Sequence, residues 1–577
     1  MNLAIHLIRG NVNTISQRLR MIGSGCLILA LAWTGAPVVA NEARPETGPL
    51  AFTAKAIMDH VRVLASDEFE GRAPGTKGEA LTVAYIEDQF RKAGLKPGNT
   101  DGTYFQNVPM VGITADPAAS LVFKRGRVTQ ALAFKNDVVA WTKQVQETVR
   151  LDASDVVFVG YGVQAPEYEW DDYKGVDLAG KTLIMLVNDP PVPDPADPTR
   201  LDPKIFGGRA MTYYGRWTYK YEMGAEKHAA AVFIVHETEP AAYPFAVIQS
   251  KVTEQFDLVT ADGNMGRAAI EGWITLEQAK KLFALAGQDF DALKKRAATR
   301  AFTPVTMGVK ASMTLNNRIR KIDSRNVVGM LPGSDPALRN EYVIFTAHWD
   351  HFGIGPEING DKIYNGALDN ATGIAGMIEL ARAFVKLPAA PRRSLLFLAV
   401  TAEEQGLLGS DYYAKHPIYP LSRTLAVINI DSLNIYGRTK DLTVTGLGAS
   451  DLDDYARDAA AAQGRVLSPD PQPEAGGYFR SDHFPFAKQG VPAISAGGGG
   501  DYIGRPAGWA EQVRDAYTAQ HYHKPSDEIR PDWDLSGALE DLEIYLAVGA
   551  RAANTARWPE WKPGSEFKAR RDTMLER

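Results

Sequence analysis

Between residues 342 and 496 the chain alternates uninterrupted apolar runs with helical periodicity, a pattern that few architectures can accommodate. The runs are YVIFTAH (342–348), SLLFLAVTA (394–402), LAVINID (425–431) and VPAISA (491–496). A strand solvated on one face alternates apolar with polar residues, whereas a continuous apolar run belongs to a strand covered on both faces. Between the first two runs, NATGIAGMIELARAFVKL (370–387) places Ile374, Met377, Ile378, Ala381, Phe384 and Val385 on one helical face. The expected core is therefore an α/β fold with a mixed, largely parallel sheet flanked by helices.

At 577 residues the chain exceeds what one core supports. From about 53 to 65, Ile57, Val61 and Leu64 recur at helical spacing, and a second helix over GEALTVAYIEDQFRKAG is expected to stop at Gly94. From about 125 to 315 short β-like runs such as KTLIMLVND and AAVFIVHE alternate with long loops, PPVPDPADPTRLDPK among them. The expectation is one α/β domain built from 41–125 and 316–560, a β-rich insertion at 126–315, and a charged C-terminal tail at 561–577. No internal repeat is present.

Residues 1–40 form a separate object. Arg9, Arg18 and Arg20 precede the apolar CLILALAW (Cys26–Trp33), and Val38 and Ala40 fit a small-residue cleavage pattern. This reads as a secretory signal peptide, with a retained membrane anchor as the competing reading. Export to the periplasm or the medium is expected, with no stable membrane association after cleavage. Without the three arginines of this segment the balance is 60 basic to 69 acidic residues, a net of −9. With no basic excess to neutralise phosphates, nucleic acid is excluded as a partner. Cys26, the only cysteine, departs as well, so any metal must be held by His, Asp and Glu.

The ends of the apolar runs carry such residues. YVIFTA leads into His348 and Asp350, SLLFLAVTA into Glu403 and Glu404, and LAVINI into Asp431. Asp369 lies in NGALDNATG, and HYHKPSDE supplies His521 and His523. In open α/β sheets, ligands bind beyond the carboxyl ends of the strands. Each residue alone has an ordinary explanation: an Asp after a strand is commonly a turn residue, and paired glutamates commonly start a helix. His228, His351 and His416 are read in that ordinary sense. Three strands delivering imidazole and carboxylate at one sheet end instead suit zinc. HExxH, Walker and GxSxG signatures are absent.

The segments TAHWDHFG, NGALDNATGIAG, TAEEQGLLGS, NIDSLN, RSDHFPFAKQGVPA and YHKPSDE, in that order, resemble the successive signatures of the co-catalytic dizinc exopeptidases. That family includes bacterial leucyl aminopeptidases, glutamate carboxypeptidase II and glutaminyl cyclases. The resemblance covers about 320–550 and the N-terminal helices; the middle segment more weakly resembles a protease-associated domain. It implies two zinc ions per chain sharing Asp369 as a bridging carboxylate, one completed by His348 and Asp431, the other by Glu404 and His523. An anionic bridge is what two neighbouring dications require. Asp350 would accept the other ring N–H of His348. Glu403 would be the general base and Tyr522 the donor to the tetrahedral oxyanion. Asp482 and His483 match a segment near the substrate without an assigned role.

The implied activity is that of an aminopeptidase acting on peptides, with oligomeric state left open. A carboxypeptidase or dipeptidase of the same chemistry is the alternative; it would need arginines at the pocket, and Arg480 and Arg505 lie near the relevant loops. Glutaminyl cyclase activity fits less well, since those enzymes work with one zinc. A catalytically dead, receptor-like binding protein fits poorly, because every ligand and the base are present. In the insertion, Tyr213, Tyr214 and Trp217 are expected either to line the cleft mouth or to form the module's own core.

Overall fold

The computed structural model describes residues 52–116, 120–250 and 253–576. The expected signal peptide, with Cys26, lies outside the described residues. Among those described, no helix is long and apolar enough to cross a membrane.

Tyr342–His348 pairs in parallel with Ser394–Val400 on one side and Thr424–Asn429 on the other, and Ala493–Gly497 continues the parallel set. Every residue of the first three strands is buried. One face is covered by the helices Ala54–Leu64, Lys77–Ala93, Thr372–Val385 and Ser536–Asn554, and there Phe345 and Phe397 stack with ring centres 5.3 Å apart. The other face, with Ile344, Leu398 and Val427, meets the helices Leu408–Lys415 and His483–Lys488 and part of the middle segment. Double coverage is why these runs carry no polar alternation. Antiparallel strands flank the parallel set: Val305–Leu331 and then Phe105–Ala115 on one side, Asp441–Thr445 on the other.

The first helix opens with Thr53 accepting the N–H of Ala56 and buries Ile57, Val61 and Leu64. The second stops at Gly94, whose φ of 94° returns its N–H to the carbonyls of Phe90 and Arg91. A residue without Cβ takes that left-handed conformation most readily.

The middle segment forms a second sheet. Its strands Thr182–Leu186, Ala231–His236 and Ile270–Thr275 run parallel, and its far face is closed by the helices Leu276–Leu285 and Phe290–Ala297. The two sheets share one strand of 27 residues, Val305–Leu331. Its first half pairs with Thr148–Phe158 and its second with Phe105–Ala115. Residues 315 and 316 lie inside this strand, so the backbone is continuous β structure where the insertion was expected to end. Met307, Val309, Ala311, Met313 and Leu315 are buried, none of 318–321 is, and then Ile322, Ser324 and Asn326 are.

The aromatic stretch of the middle segment is largely packed. Tyr213 is 8% exposed, rests on Phe479 and Phe484, and accepts a hydrogen bond from Lys488 at 2.9 Å. Tyr214 donates to Glu167 at 2.7 Å within a cluster that includes Phe206 and Tyr219, and Trp217 packs on Tyr221. The C-terminal stretch is also part of the folded body: Trp561 donates to the carbonyl of Gly490 at 2.9 Å, and buried Arg571 donates to those of Leu421 and Thr424.

Candidate metal centre

Three adjacent parallel strands end at one place. Tyr342–His348 terminates on His348, Ser394–Val400 runs on to Glu403 and Glu404, and Thr424–Asn429 runs on to Asp431. Asp369 arrives from the irregular turn Ala367–Ala371 that precedes the helix Thr372–Val385, and His523 from the loop after the helix Trp509–Gln520.

His348 is buried, with Nε2 lying 3.3 Å from Asp369 Oδ1 and 3.4 Å from Asp431 Oδ1. His523 Nε2 lies 3.4 Å from Asp369 Oδ2 and 3.2 Å from Glu404 Oε2. The two oxygens of a single carboxylate therefore face two different imidazoles, each of which faces a second carboxylate. Tetrahedral zinc with bonds of about 2.0–2.2 Å would set neighbouring donor atoms about 3.3–3.6 Å apart. Three of the four observed separations fall in that range and the fourth, at 3.2 Å, lies just below it, and the buried Nε2 of His523 has no hydrogen-bond partner among the described residues. The residues present fit zinc.

The electrostatics point the same way. Burial opposes a proton on His523, yet Glu404 and Asp369 push its imidazole up to about 9. Burial likewise opposes protonation of His348, but Glu403, Asp369 and Asp431 raise it well above the usual histidine range. Burial and the charge of Asp369 disfavour ionisation of Glu404, but His523 and His351 bring it down to about 2. Imidazoles that hold protons this firmly mark a place where a cation is favoured. Glu403 behaves differently: burial pushes its carboxyl well above the carboxylate range, with Glu404 and Asp431 adding to the shift against the pull of His348. Its Oε2 stands 4.0 Å from His348 Nε2, outside the tight donor set.

Asp350 departs from expectation in one respect. Its carboxylate oxygen stands 3.9 Å from His348 Nδ1, while its main-chain carbonyl is 3.2 Å away. The carboxylate is taken up instead by the main-chain N–H groups of Glu403 and Glu404, at 3.0 and 3.4 Å. The ring is oriented by backbone because the side chain is engaged in holding the glutamate turn. Tyr522 stacks on the ring of His523 at 3.7 Å between centroids.

Several supporting residues escaped sequence reasoning. His351, read as an ordinary packed histidine, has no exposed surface and sits with Nδ1 2.6 Å from Glu404 Oε1. Its place three residues after His348 in TAHWDHFG was the available signal. Ser481 donates to Asp431 at 2.5 Å, and Asp527 accepts the N–H groups of Leu368 and Asp369. Of the substrate-side candidates, Asp482 accepts from Ser410 at 2.6 Å and His483 packs on Tyr478. Arg505 lies over the ring of Trp509, whereas Arg480 is close enough for its charge to bear on the hydroxyl of Tyr522.

Residues 326–547 match the family described as Peptidase family M28. Aminopeptidase NAALADL1 of Mus musculus is 32% identical over 130 residues, which is 22% of this chain and 16% of its own length. Aminopeptidase YwaD of Bacillus subtilis (strain 168) is 26% identical over 231 residues, 39% of this chain and 45% of its own. The chain thus spans less than half the length of these curated relatives. A solved aminopeptidase from Aneurinibacillus sp. strain AM-1 is 20% identical with a TM-score of 0.47, over 87% of this chain and 94% of that one.

Proposed function

We propose, from the match of residues 326–547 to peptidase family M28, that the chain is an exported zinc aminopeptidase that removes N-terminal residues from peptides. The observation that carries this reading is the Asp369 carboxylate, one oxygen toward His348 and the other toward His523. Two zinc ions per chain would suit it, with His348, Asp431 and Asp369 holding one and Glu404, His523 and Asp369 holding the other. When bound, zinc polarises the scissile carbonyl and acidifies water. Glu403, beside the donors but outside their close contacts, takes the proton of the attacking water and returns it to the departing amine. Tyr522 donates to the oxyanion, and Asp350 and His351 hold the glutamate turn and Glu404 in place. Residues 126–315 serve as a protease-associated domain and act on substrate choice, since none of the proposed ligands comes from them.

A second reading, a carboxypeptidase or dipeptidase, is favoured by one feature. The positive charge of Arg480 bears on both Tyr522 and Arg216, an arginine pair suited to a substrate carboxylate.

Zinc analysis of natively purified protein, followed by a panel of free-amine, N-blocked and C-amidated peptides, tests both. About two zinc ions per chain and cleavage confined to free-amine peptides are expected. Cleavage of N-blocked peptides that requires a free carboxylate would favour the second reading. Protein that neither carries nor takes up zinc would overturn both.

A further inference from the structure

Arg72 occupies an unusual position for a cation. It is 1% exposed and forms no direct ion pair among the described residues, although Asp527, Asp350, Asp369 and Glu404 are near enough for their charges to favour it. Its guanidinium instead donates to four main-chain carbonyls: Trp349 at 2.9 Å, Leu64 at 2.7 Å, Asn365 at 2.6 Å and Gly366 at 2.9 Å. Trp349 immediately follows the donor His348 in sequence, and Asn365 and Gly366 lead into the turn that carries Asp369. One side chain thus grips the two loops that must present donors to the same centre, and ties both to the end of the first helix. The main chain of Arg72 adds a fifth tie, its carbonyl accepting the N–H of His351 at 3.4 Å.

The backbone is strained to bring it there. Glu70, Gly71 and Arg72 have φ of 48°, 66° and 54°, three consecutive residues in the left-handed region. For a residue with a side chain this costs on the order of 1–3 kcal/mol and persists only where the surroundings over-determine it. Gly71 could not be otherwise, since a Cβ there would come within 2.4 Å of the carbonyl oxygen of Tyr364 and 2.8 Å of that of Gly353. A buried cation without a carboxylate partner is likewise unfavourable unless its donors are satisfied. Here they are, by a planar fork whose geometry an ammonium cannot reproduce. Strain and burial are both accepted at one residue whose contacts converge on the two loops.

We propose that Arg72 is a positioning residue: it fixes the separation between the His348 loop and the Asp369 turn, and so sets the geometry and affinity of the metal centre. The inference rests on the metallopeptidase reading above. Its planar fork is the essential element, so lysine should not replace it.

The test uses full-length Arg72→Met and Arg72→Lys, with Val83→Ala, a buried change in the neighbouring helix, as a purely structural control. Zinc affinity is measured by competition with a chromophoric chelator, coordination by the visible absorption of the cobalt-substituted protein, and stability by thermal unfolding of the metal-free form. Both Arg72 variants are expected to bind zinc about 10–100-fold more weakly, as for other outer partners of metal ligands. Their cobalt bands should change in position or intensity. Val83→Ala should lower the melting temperature and leave both metal readouts unchanged. A folded Arg72 variant with wild-type zinc affinity and cobalt spectrum would overturn the proposal. Arg72→Lys decides the matter if Arg72→Met does not fold, and if neither folds Arg72 belongs to the stability of the chain and not to its metal centre. Wild-type protein that binds no zinc overturns the metallopeptidase reading itself, an outcome separate from these.

Discussion

Asp527 should hold the Asp369 turn in place before any metal arrives. It has no exposed surface, and its two carboxylate oxygens accept the N–H groups of Leu368 and Asp369 at 3.2 and 3.0 Å. Tyr517 donates a third hydrogen bond at 3.3 Å, and the main-chain carbonyl of Asp527 accepts the N–H of Ala367 at 2.9 Å. Asp527→Ala keeps the last of these and strands the other three donors. A buried donor left unpaired costs about 1–3 kcal/mol, so the substitution should weaken this turn by about 3–6 kcal/mol after partial relaxation. Asp527→Asn keeps one acceptor oxygen but aims an NH2 group at a main-chain N–H, and should fall at the lower end of that range. Hydrogen exchange of the metal-free protein, followed by mass spectrometry on peptides spanning 365–371, reads the effect directly. A loss of 3 kcal/mol corresponds to about 10²-fold faster exchange. Exchange within threefold of wild type in Asp527→Ala would show that the carboxylate does not hold the turn.

Glu403→Gln should lower turnover by about 10²–10⁴ while zinc content stays at the wild-type value, because it removes a base and no ligand. Loss of a zinc ion would mean that Glu403 and Glu404 have exchanged roles. Chelation of zinc should lower the thermal midpoint, since Asp369, Glu404 and Asp431 are left without their cations, and the shift should deepen with chelator strength. An unchanged midpoint after verified zinc removal would contradict this. In the middle sheet, burial lifts the carboxyl of Asp172 from 3.8 to about 7, outweighing the hydrogen bonds it accepts from Val163 and Trp170. The folded chain then binds this proton more tightly than the unfolded one. Its contribution to stability is complete below about pH 4 and is lost as pH rises toward about 7, by up to about 1.4 kcal/mol per pH unit. Asp172→Asn should remove that slope, and melting curves of variant and wild type that stay parallel over this range would refute it.

The parallel strands and the side chains that follow them, His348, Glu404 and Asp431, leave local marks, whereas Asp369 and His523 lie in loops away from any apolar run and are legible only through the signature segments that hold them. A doubly buried strand cannot hide its uninterrupted apolar run, and a donor beyond its end stands next to that run in sequence. Residues that act through distant backbone leave no such mark. Arg72 is bound to carbonyls as far as 294 positions away, and nothing near DEFEGR announces them. Asp527 sits in YHKPSDE beside a proposed ligand, yet its role depends on amides 158 and 159 positions upstream. Spacing places the Asp350 carboxylate beside His348, 3.9 Å from its Nδ1, but cannot reveal the N–H groups of Glu403 and Glu404 that it also accepts. His351 was lost for the opposite reason: a packed histidine and a histidine against a carboxylate look alike in one dimension.

The shared strand Val305–Leu331 imposes a rule of arithmetic on this chain. Odd-numbered side chains enter the core of the middle sheet up to Leu315, and the even-numbered Ile322, Ser324 and Asn326 turn inward beyond the junction, before both faces become buried over 326–329. Parity flips across 318–321, where nothing is buried. Inserting or deleting one residue in that short window would rotate the side chains on one side of it to the opposite face, turning Lys310 inward in the middle sheet or Asp323 and Arg325 inward in the other. A two-residue change would preserve the inward set and only slide one sheet past the other by about 6.6 Å. Length variation at this junction should therefore be tolerated in even steps and rejected in odd ones, which makes this largely exposed stretch the most counted segment of the molecule.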